Sequence, residues 1–288
     1  ITPSYNINFI DPKWVSIGVS KLETLGFDVK FGNNVRCKEE FSNIAGSVEE
    51  RIDDINQFLL DDTVDILMAA IGGYGANQLL KQLDYELIKK TNKKFIGFSD
   101  TSVLLNSIYK KTGICTYLGP SFISFCNPNI PESVINSFMD VVVNEKEEVI
   151  YIPPDYFSYD DWYLKDENSS RELIKHKGHI FIQEGRAEGT LIGGNCQSIV
   201  RLAGTDYFPN TDESILFLED VPNESPDVFV SELIQLRDMG VFDKIRGLII
   251  GQFGYDNEFY NSKKFISTVK DMCGKSNIPI LINATFSH

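Results

Sequence analysis

Val64-Asp65-Ile66-Leu67-Met68-Ala69-Ala70-Ile71-Gly72-Gly73-Tyr74-Gly75 is the stretch on which the fold turns. Residues 64–71 form a nearly continuous apolar run, the pattern of a strand covered on both faces, as strands of parallel sheets are. Three glycines then break the run, and a helix is expected to open near Ala76. Downstream the pattern repeats. Phe95-Ile96-Gly97-Phe98 reads as a second short buried strand ending on Ser99, residues 102–111 as a helix stopped by Thr112-Gly113, and residues 115–118 as a third strand. Upstream, Val15, Val19, Leu22 and Leu25 recur at helical spacing until Gly26, and Phe27-Asp28-Val29-Lys30 alternates like a short strand. Ser47-Val48-Glu49-Glu50 is a capping box, followed by the apolar face Ile52, Ile55, Phe58 and Leu59. Strands alternating with helices at these lengths predict an α/β protein, with an N-terminal Rossmann-like, doubly wound parallel sheet over residues 1–120.

Residues 121–182 are rich in Asp, Glu, Tyr, Pro and Asn, with weak periodicity, and read as a connecting, lid-forming region. Short strands return at 215–218, 247–251 and 280–282, with one helix over 228–239 closed by Gly240. Residues 183–288 therefore read as a second, smaller domain of mixed β/α type. The chain opens on Ile1 inside what reads as the end of a strand and stops at His288, so both ends look trimmed.

The 288 residues are 42% hydrophobic and 24% charged, with a formal net charge of −14. Nucleic acid and anionic membranes want a basic face, so neither is an expected partner. No apolar run approaches the roughly 18–20 residues of a membrane span, and nothing at the N-terminus resembles a signal peptide. Cys37, Cys115, Cys126, Cys196 and Cys273 are odd in number, scattered and free of CxxC spacing, which fits a reducing, cytoplasmic compartment.

Four features carry chemistry. Gly97-Phe98-Ser99-Asp100-Thr101 lies between a strand and a helix, where a nucleophile elbow would expose the Ser99 hydroxyl above a helix N-terminus. Thr101 replaces the second glycine of GxSxG, and capping of the helix by Ser99 or Asp100 is the plain alternative. Gly72-Gly73-Tyr74-Gly75 ends a parallel strand on the edge where such sheets bind ligands, and either brings backbone N–H groups to an anion or simply turns the chain. Residues 215–218 end in Glu219-Asp220, so a carboxylate is delivered to an active site or the pair merely makes a strand-end turn. Only His176, His179 and His288 are available as a base. His176 and His179 sit in a polar stretch without carboxylate companions, which suits solvated surface better than a metal pair. His288, after the apolar strand 280–282, is the better-anchored base.

Together these segments resemble the LD-carboxypeptidase family of serine peptidases. The resemblance rests on residues 72–80, Gly97-Phe98-Ser99-Asp100, Thr112-Gly113 with Gly119-Pro120, Glu188-Gly189 with Gly193-Gly194-Asn195, Leu202-Ala203-Gly204-Thr205 and Leu218-Glu219-Asp220. It implies a Ser99-Glu219-His288 triad that hydrolyses an amide near a peptide C-terminus. It also implies oxyanion donors at the Gly73 and Asp100 N–H groups, substrate contacts at Tyr74 and Asn195, no metal or organic cofactor, and a homodimer. Trp162, in the extra length over residues 145–185, either stacks on a nucleobase of the substrate or packs in the lid. Two branches compete: cell-wall recycling enzymes that release D-alanine from muramoyl tetrapeptides, and microcin C immunity peptidases that cut a nucleotide–peptide conjugate. The 120 positions between Ser99 and Glu219, and Ile71 where the recycling branch commonly has Arg, resemble the immunity branch; the glycine loop resembles the recycling enzymes. A non-catalytic module binding peptides or nucleotides on the same scaffold is the alternative from another class. An imidazole on the last residue would sit beside its own carboxylate. The native chain is therefore expected to continue, or this form to hold His288 loosely and be inactive.

Overall fold

A computed structural model describes residues 1–158, 162–164, 171–221, 225–253, 262–274 and 277–286. The chain divides into two compact units, residues 1–151 with 160–171 and residues 152–159 with 172–288.

The first unit opens with Ile1 hydrogen bonded along the edge of the first strand, its amine to Met68 O and its carbonyl to Ala70 N. Helix α1 (Pro12–Thr24) starts on Asp11, whose carboxylate accepts from Lys13 N with proline at the first position, and Gly26 follows its end at φ +94. Helix α2 (Val48–Leu60) carries both halves of the expected capping box: Glu50 N donates to Ser47 Oγ and Ser47 N to Glu50 Oε2. Strand β1 (Ile66–Met68), helix α3 (Tyr85–Thr91), strand β2 (Lys94–Gly97), helix α4 (Ser102–Thr112) and strand β3 (Tyr117–Leu118) follow, and the three strands form a parallel sheet in that order. β1 is shorter than the apolar run because the backbone beyond it is taken elsewhere. The carbonyls of Ala69 and Ala70 accept the first amides of helix α5 (Phe122–Cys126).

Residues 27–30 alternate in burial as expected, but no strand partners them among the described residues. Phe27 instead packs, with its ring tilted, on Phe138 of helix α6 (Glu132–Phe138). Residues 121–151, expected within a connecting region, thus supply two helices to the first unit. Phe122, Phe125 and Phe138 join Ile7, Trp14 and Ile96 in its core. Full burial of such side chains stabilises by about 1.5–3 kcal/mol each.

The second unit contains a two-stranded antiparallel piece, β4 (Tyr156–Phe157) with β5 (Ile174–Lys175). Its main sheet has strands β6 (Ile180–Gln183), β7 (Leu191–Asn195), β8 (Ile215–Glu219), β9 (Gly247–Gly251) and β10 (Ile280–Ala284). The order is β6-β10-β9-β8-β7, parallel throughout except for the antiparallel edge strand β6. Helices α7 (Cys196–Val200), α8 (Pro226–Asp238) and α9 (Lys263–Met272) belong to this unit. Phe229, Leu233, Phe265 and Val269 bury against Leu216, Leu218 and Ile250 of the sheet. α9 had no counterpart in the sequence reading. Its apolar positions Phe265, Val269 and Met272 do recur at helical spacing behind the Ser262 cap, which accepts from Phe265 N. The expected fold class holds: a parallel α/β sheet precedes a mixed one. No described helix is long and apolar enough to cross a membrane.

Candidate active site

In the first unit, β2 ends at Gly97, Phe98 is still extended, and Ser99 then turns to φ +57 at the head of a 3-10 turn running into α4. A left-handed backbone at a residue bearing a Cβ costs roughly 1–2 kcal/mol and persists only where its surroundings impose it. The surroundings are visible. A Cβ on Gly97 would stand 2.5 Å from Thr101 Cγ2 and 2.9 Å from Ala69 Cβ, so Thr101 fills the space that a glycine at its position would leave. The missing second glycine of the elbow is thereby explained: Gly97 provides the room and Thr101 occupies it. Ser99 is half-buried, and the positive end of the helical segment lies beneath it. Phe98 and Thr101, the residues at the N-cap positions of the turn and of α4, make no side-chain capping hydrogen bond.

The glycine loop presses on the same serine. A Cβ on Gly72 would fall 2.7 Å from Ser99 Cβ and 3.0 Å from its Oγ, so only glycine lets the backbone pass there. Gly73 and Gly75 have φ of +114 and +109. The Tyr5 ring lies across Gly73, where a Cβ would be 2.3 Å from Tyr5 Cγ, and Tyr5 N donates to Gly72 O at 3.2 Å. Tyr74 is half exposed, its ring 6.0 Å from that of Tyr5. Burial, with the neighbouring Tyr74 and Asp100, raises the Tyr5 phenol above its ordinary value. Ser99, Asp100, Gly72, Gly73 and Tyr74 are thus brought together on the edge beyond β1 and β2. Trp162 packs in the same unit, its ring edge-to-face on buried Trp14 at 5.6 Å and on Tyr163 at 5.8 Å.

In the second unit, Glu219 is the last residue of β8 and Asn195 the last of β7, directly across the ladder. Asn195 is both a cap and a brace. Its Oδ1 accepts from Ser198 N and Ser198 Oγ at the start of α7, and its side chain hydrogen bonds Glu219. Glu219 is 1% exposed, and its Oε1 has no hydrogen-bond partner among the described residues. Burial, reinforced by adjacent Asp220 and opposed by the Asn195 bond, raises this carboxyl to about 8. A Cβ on Gly251 would lie 3.0 Å from Glu219 Cβ and 3.3 Å from Phe286 Cζ. The segment after β10 therefore runs beside this carboxyl; His288 itself lies outside the described residues.

The other two histidines are tied to the fold. His176 Nδ1 accepts from Gly178 N, and its Nε2 lies 3.1 Å from Asn283 O. The His179 ring is 5.6 Å from it, and burial, then His176, lowers its pKa. The described residues contain no cluster of three or more His, Cys, Asp or Glu able to hold a metal. One charged residue of the first site was missed from the sequence: Arg51, 2% exposed, beneath the glycine loop.

Comparison with known proteins gives the geometry a family. Residues 1–119 match the LD-carboxypeptidase N-terminal domain and residues 188–288 the LD-carboxypeptidase C-terminal domain. The YocD protein of Bacillus subtilis is 33% identical over 290 residues, covering 100% of this chain and 87% of that protein. A crystal structure of an MccF-like protein from Bacillus anthracis superposes with a TM-score of 0.91 at 32% identity, covering 100% of this chain and 87% of that one. A structure of MccF in complex with glutamyl sulfamoyl guanosine has a TM-score of 0.89 at 27% identity, with coverage of 100% and 87%. This chain belongs to the LD-carboxypeptidase family.

Proposed function

We propose that the protein is a serine carboxypeptidase that hydrolyses an amide bond near a peptide C-terminus, with Ser99 as nucleophile, His288 as base and Glu219 as its orienting carboxylate. The observation that carries this reading is the left-handed backbone of Ser99, strained between β2 and α4 with Gly72 against its side chain. A helix cap needs no such strain, whereas a nucleophile elbow does. His288 takes the Ser99 proton during attack on the carbonyl and passes it to the leaving amine. Glu219, in its ionised form, holds the imidazole tautomer and balances its charge; its Oε1, without a partner among the described residues, is an acceptor for such a donor. The Gly73 and Asp100 N–H groups receive the developing oxyanion, each worth about 10²–10³ in rate. Tyr74, Trp162 and Asn195 are assigned to substrate contact. Trp162 is already engaged with Trp14, so its share is the smallest.

The preferred substrate is a nucleotide–peptide conjugate of the microcin C type. The support is the likeness to MccF, which has been solved with glutamyl sulfamoyl guanosine. Muramoyl tetrapeptide is the second reading, favoured by the glycine loop and the family at large. The same reading implies a cytoplasmic homodimer working without metal or cofactor. The test is one sample incubated with processed microcin C and with muramoyl tetrapeptide, products read by mass. Cleavage of the conjugate, lost in Ser99→Ala, is expected. Release of D-alanine alone would reverse the choice of substrate, and undiminished turnover by Ser99→Ala would overturn the serine mechanism.

A further inference from the structure

The glycine loop is gripped by two buried charges of opposite sign. Arg51 Nη1 donates to Gly75 O at 3.1 Å, and Asp100 Oδ2 accepts from Ala76 N at 2.9 Å. These are the two ends of a single peptide unit. The same two atoms also grip the N-terminal segment, where Arg51 Nη1 donates to Pro3 O at 2.8 Å and Ser4 Oγ donates to Asp100 Oδ2 at 2.7 Å. Arg51 Nε reaches Ser47 O in its own helix, and Nη2 reaches Gln78 Oε1 just past the loop. Arg51 is 2% exposed and Asp100 1%.

We propose that Arg51 and Asp100 act as a pair of positioning residues, clamping the Gly75–Ala76 peptide so that the loop N–H groups stay aimed beside Ser99. The inference rests on the serine-peptidase reading for its catalytic consequence, though not for its geometry. A peptide unit carries a dipole, and a cation on its oxygen with an anion on its N–H fixes its rotation about the chain. Gly73 and Gly75, at positive φ, have no Cβ to resist a flip, so the loop's orientation must be imposed from outside. The pair imposes it, and ties the loop to the segment whose Tyr5 ring covers Gly73. Burial makes the arrangement stringent, because a charge left without its partner in a dry site is costly. Each partner therefore keeps the other in place.

The expected loss follows from geometry. A displacement of about 1 Å in a group that stabilises the transition state lowers the rate about 10²-fold. Because the clamping side chains touch no substrate, and the Asp100 N–H is kept in every variant, the loss should fall on kcat and leave KM within about threefold. The experiment uses the whole chain in four forms: wild type, Asp100→Ala, Asp100→Asn and Arg51→Lys. Asp100→Asn keeps an acceptor for Ala76 N, and so remains informative if the alanine variant fails to fold. Hydrogen exchange of the peptide spanning residues 70–78 reads the clamp directly. Labelling by a fluorophosphonate reads the nucleophile, and turnover of processed microcin C or muramoyl tetrapeptide reads its consequence. Expected are faster exchange of the loop and of the N-terminal segment tied to it through Pro3 and Ser4, with the remainder of the first unit unchanged, and a kcat loss of about 10²-fold in Asp100→Ala that Asp100→Asn partly rescues. Unchanged loop exchange in Asp100→Ala and Arg51→Lys would overturn the clamp. Faster loop exchange with undiminished kcat and labelling would overturn its positioning role. Faster loop exchange in the variants, with Ser99 never labelled even in the wild type, would uphold the clamp and sink the serine reading instead.

Discussion

The turn at Ser99 and the strand end at Glu219 solve the placement of a reactive group in opposite ways. In the first unit the work is done by the backbone. Three glycines at or near the serine, one left-handed residue and two buried charges fix the peptide groups, and Gly72 O, Gly75 O and Ala76 N are met by named partners. In the second unit an ordinary extended strand delivers the carboxyl, and the work is done by solvation. Glu219 is sealed from water, braced on one side by Asn195 and without a partner on the other among the described residues. The first arrangement is spoiled by changes of shape and the second by changes of charge.

Ser99→Ala is the largest test. It removes the hydroxyl but keeps the Cβ and the strained backbone, so hydrolysis should fall by about 10⁶-fold with the thermal midpoint unchanged. Loss of stability along with activity would break the claim that the backbone alone sets this turn. Glu219→Gln should lower kcat about 10⁴-fold and shift stability in a pH-dependent way. The folded carboxyl is raised to about 8 from an ordinary 4.5, so it stays protonated while the unfolded one ionises. Wild-type stability then declines as pH rises from 4.5 through 8, and the glutamine variant lacks that decline. The advantage of the variant should therefore widen over this window, measured by denaturant melts at pH 5, 7 and 9. A constant difference would mean that a nearby cation already holds the carboxylate ionised.

Gly73→Ala adds a Cβ inside the Tyr5 ring at a left-handed position. It should cost about 1–3 kcal/mol in stability and about 10²-fold in kcat, read by melts and steady-state kinetics. The smallest effect belongs to Asp84→Ala, which removes the α3 cap on Leu87 N. About 1 kcal/mol should be lost with kcat and KM unaltered; a change in either would show that the first site feels its scaffold at a distance.

The sequence was informative where the backbone has to be glycine. Gly72, Gly73 and Gly97 mark the points of closest approach, and Ser99 and the apolar strand ending in Glu219 were found from local pattern. It was silent on long-range grips. Arg51 lies 24 positions from Gly75 and 49 from Asp100, and nothing local pairs them. One signal was available, since Arg51 falls on the apolar face of α2, four residues before Ile55 and on the side of Phe58 and Leu59. A charge on such a face asks for a buried partner. The helices α5 and α6 were hidden because they are short and held by tertiary aromatic contacts rather than by a long apolar period.

The left-handed backbone of Ser99 also bears on how this family can change over time. Glycine would occupy the same conformation without steric cost, so Ser99→Gly exchanges the nucleophile for a more relaxed turn. In a lineage released from the need to cut its substrate, mutational drift at this position runs downhill toward glycine. The fold would survive as a sturdier, inert relative. On the proposed mechanism, a serine kept at this strained position is held there by its chemistry and not by the fold.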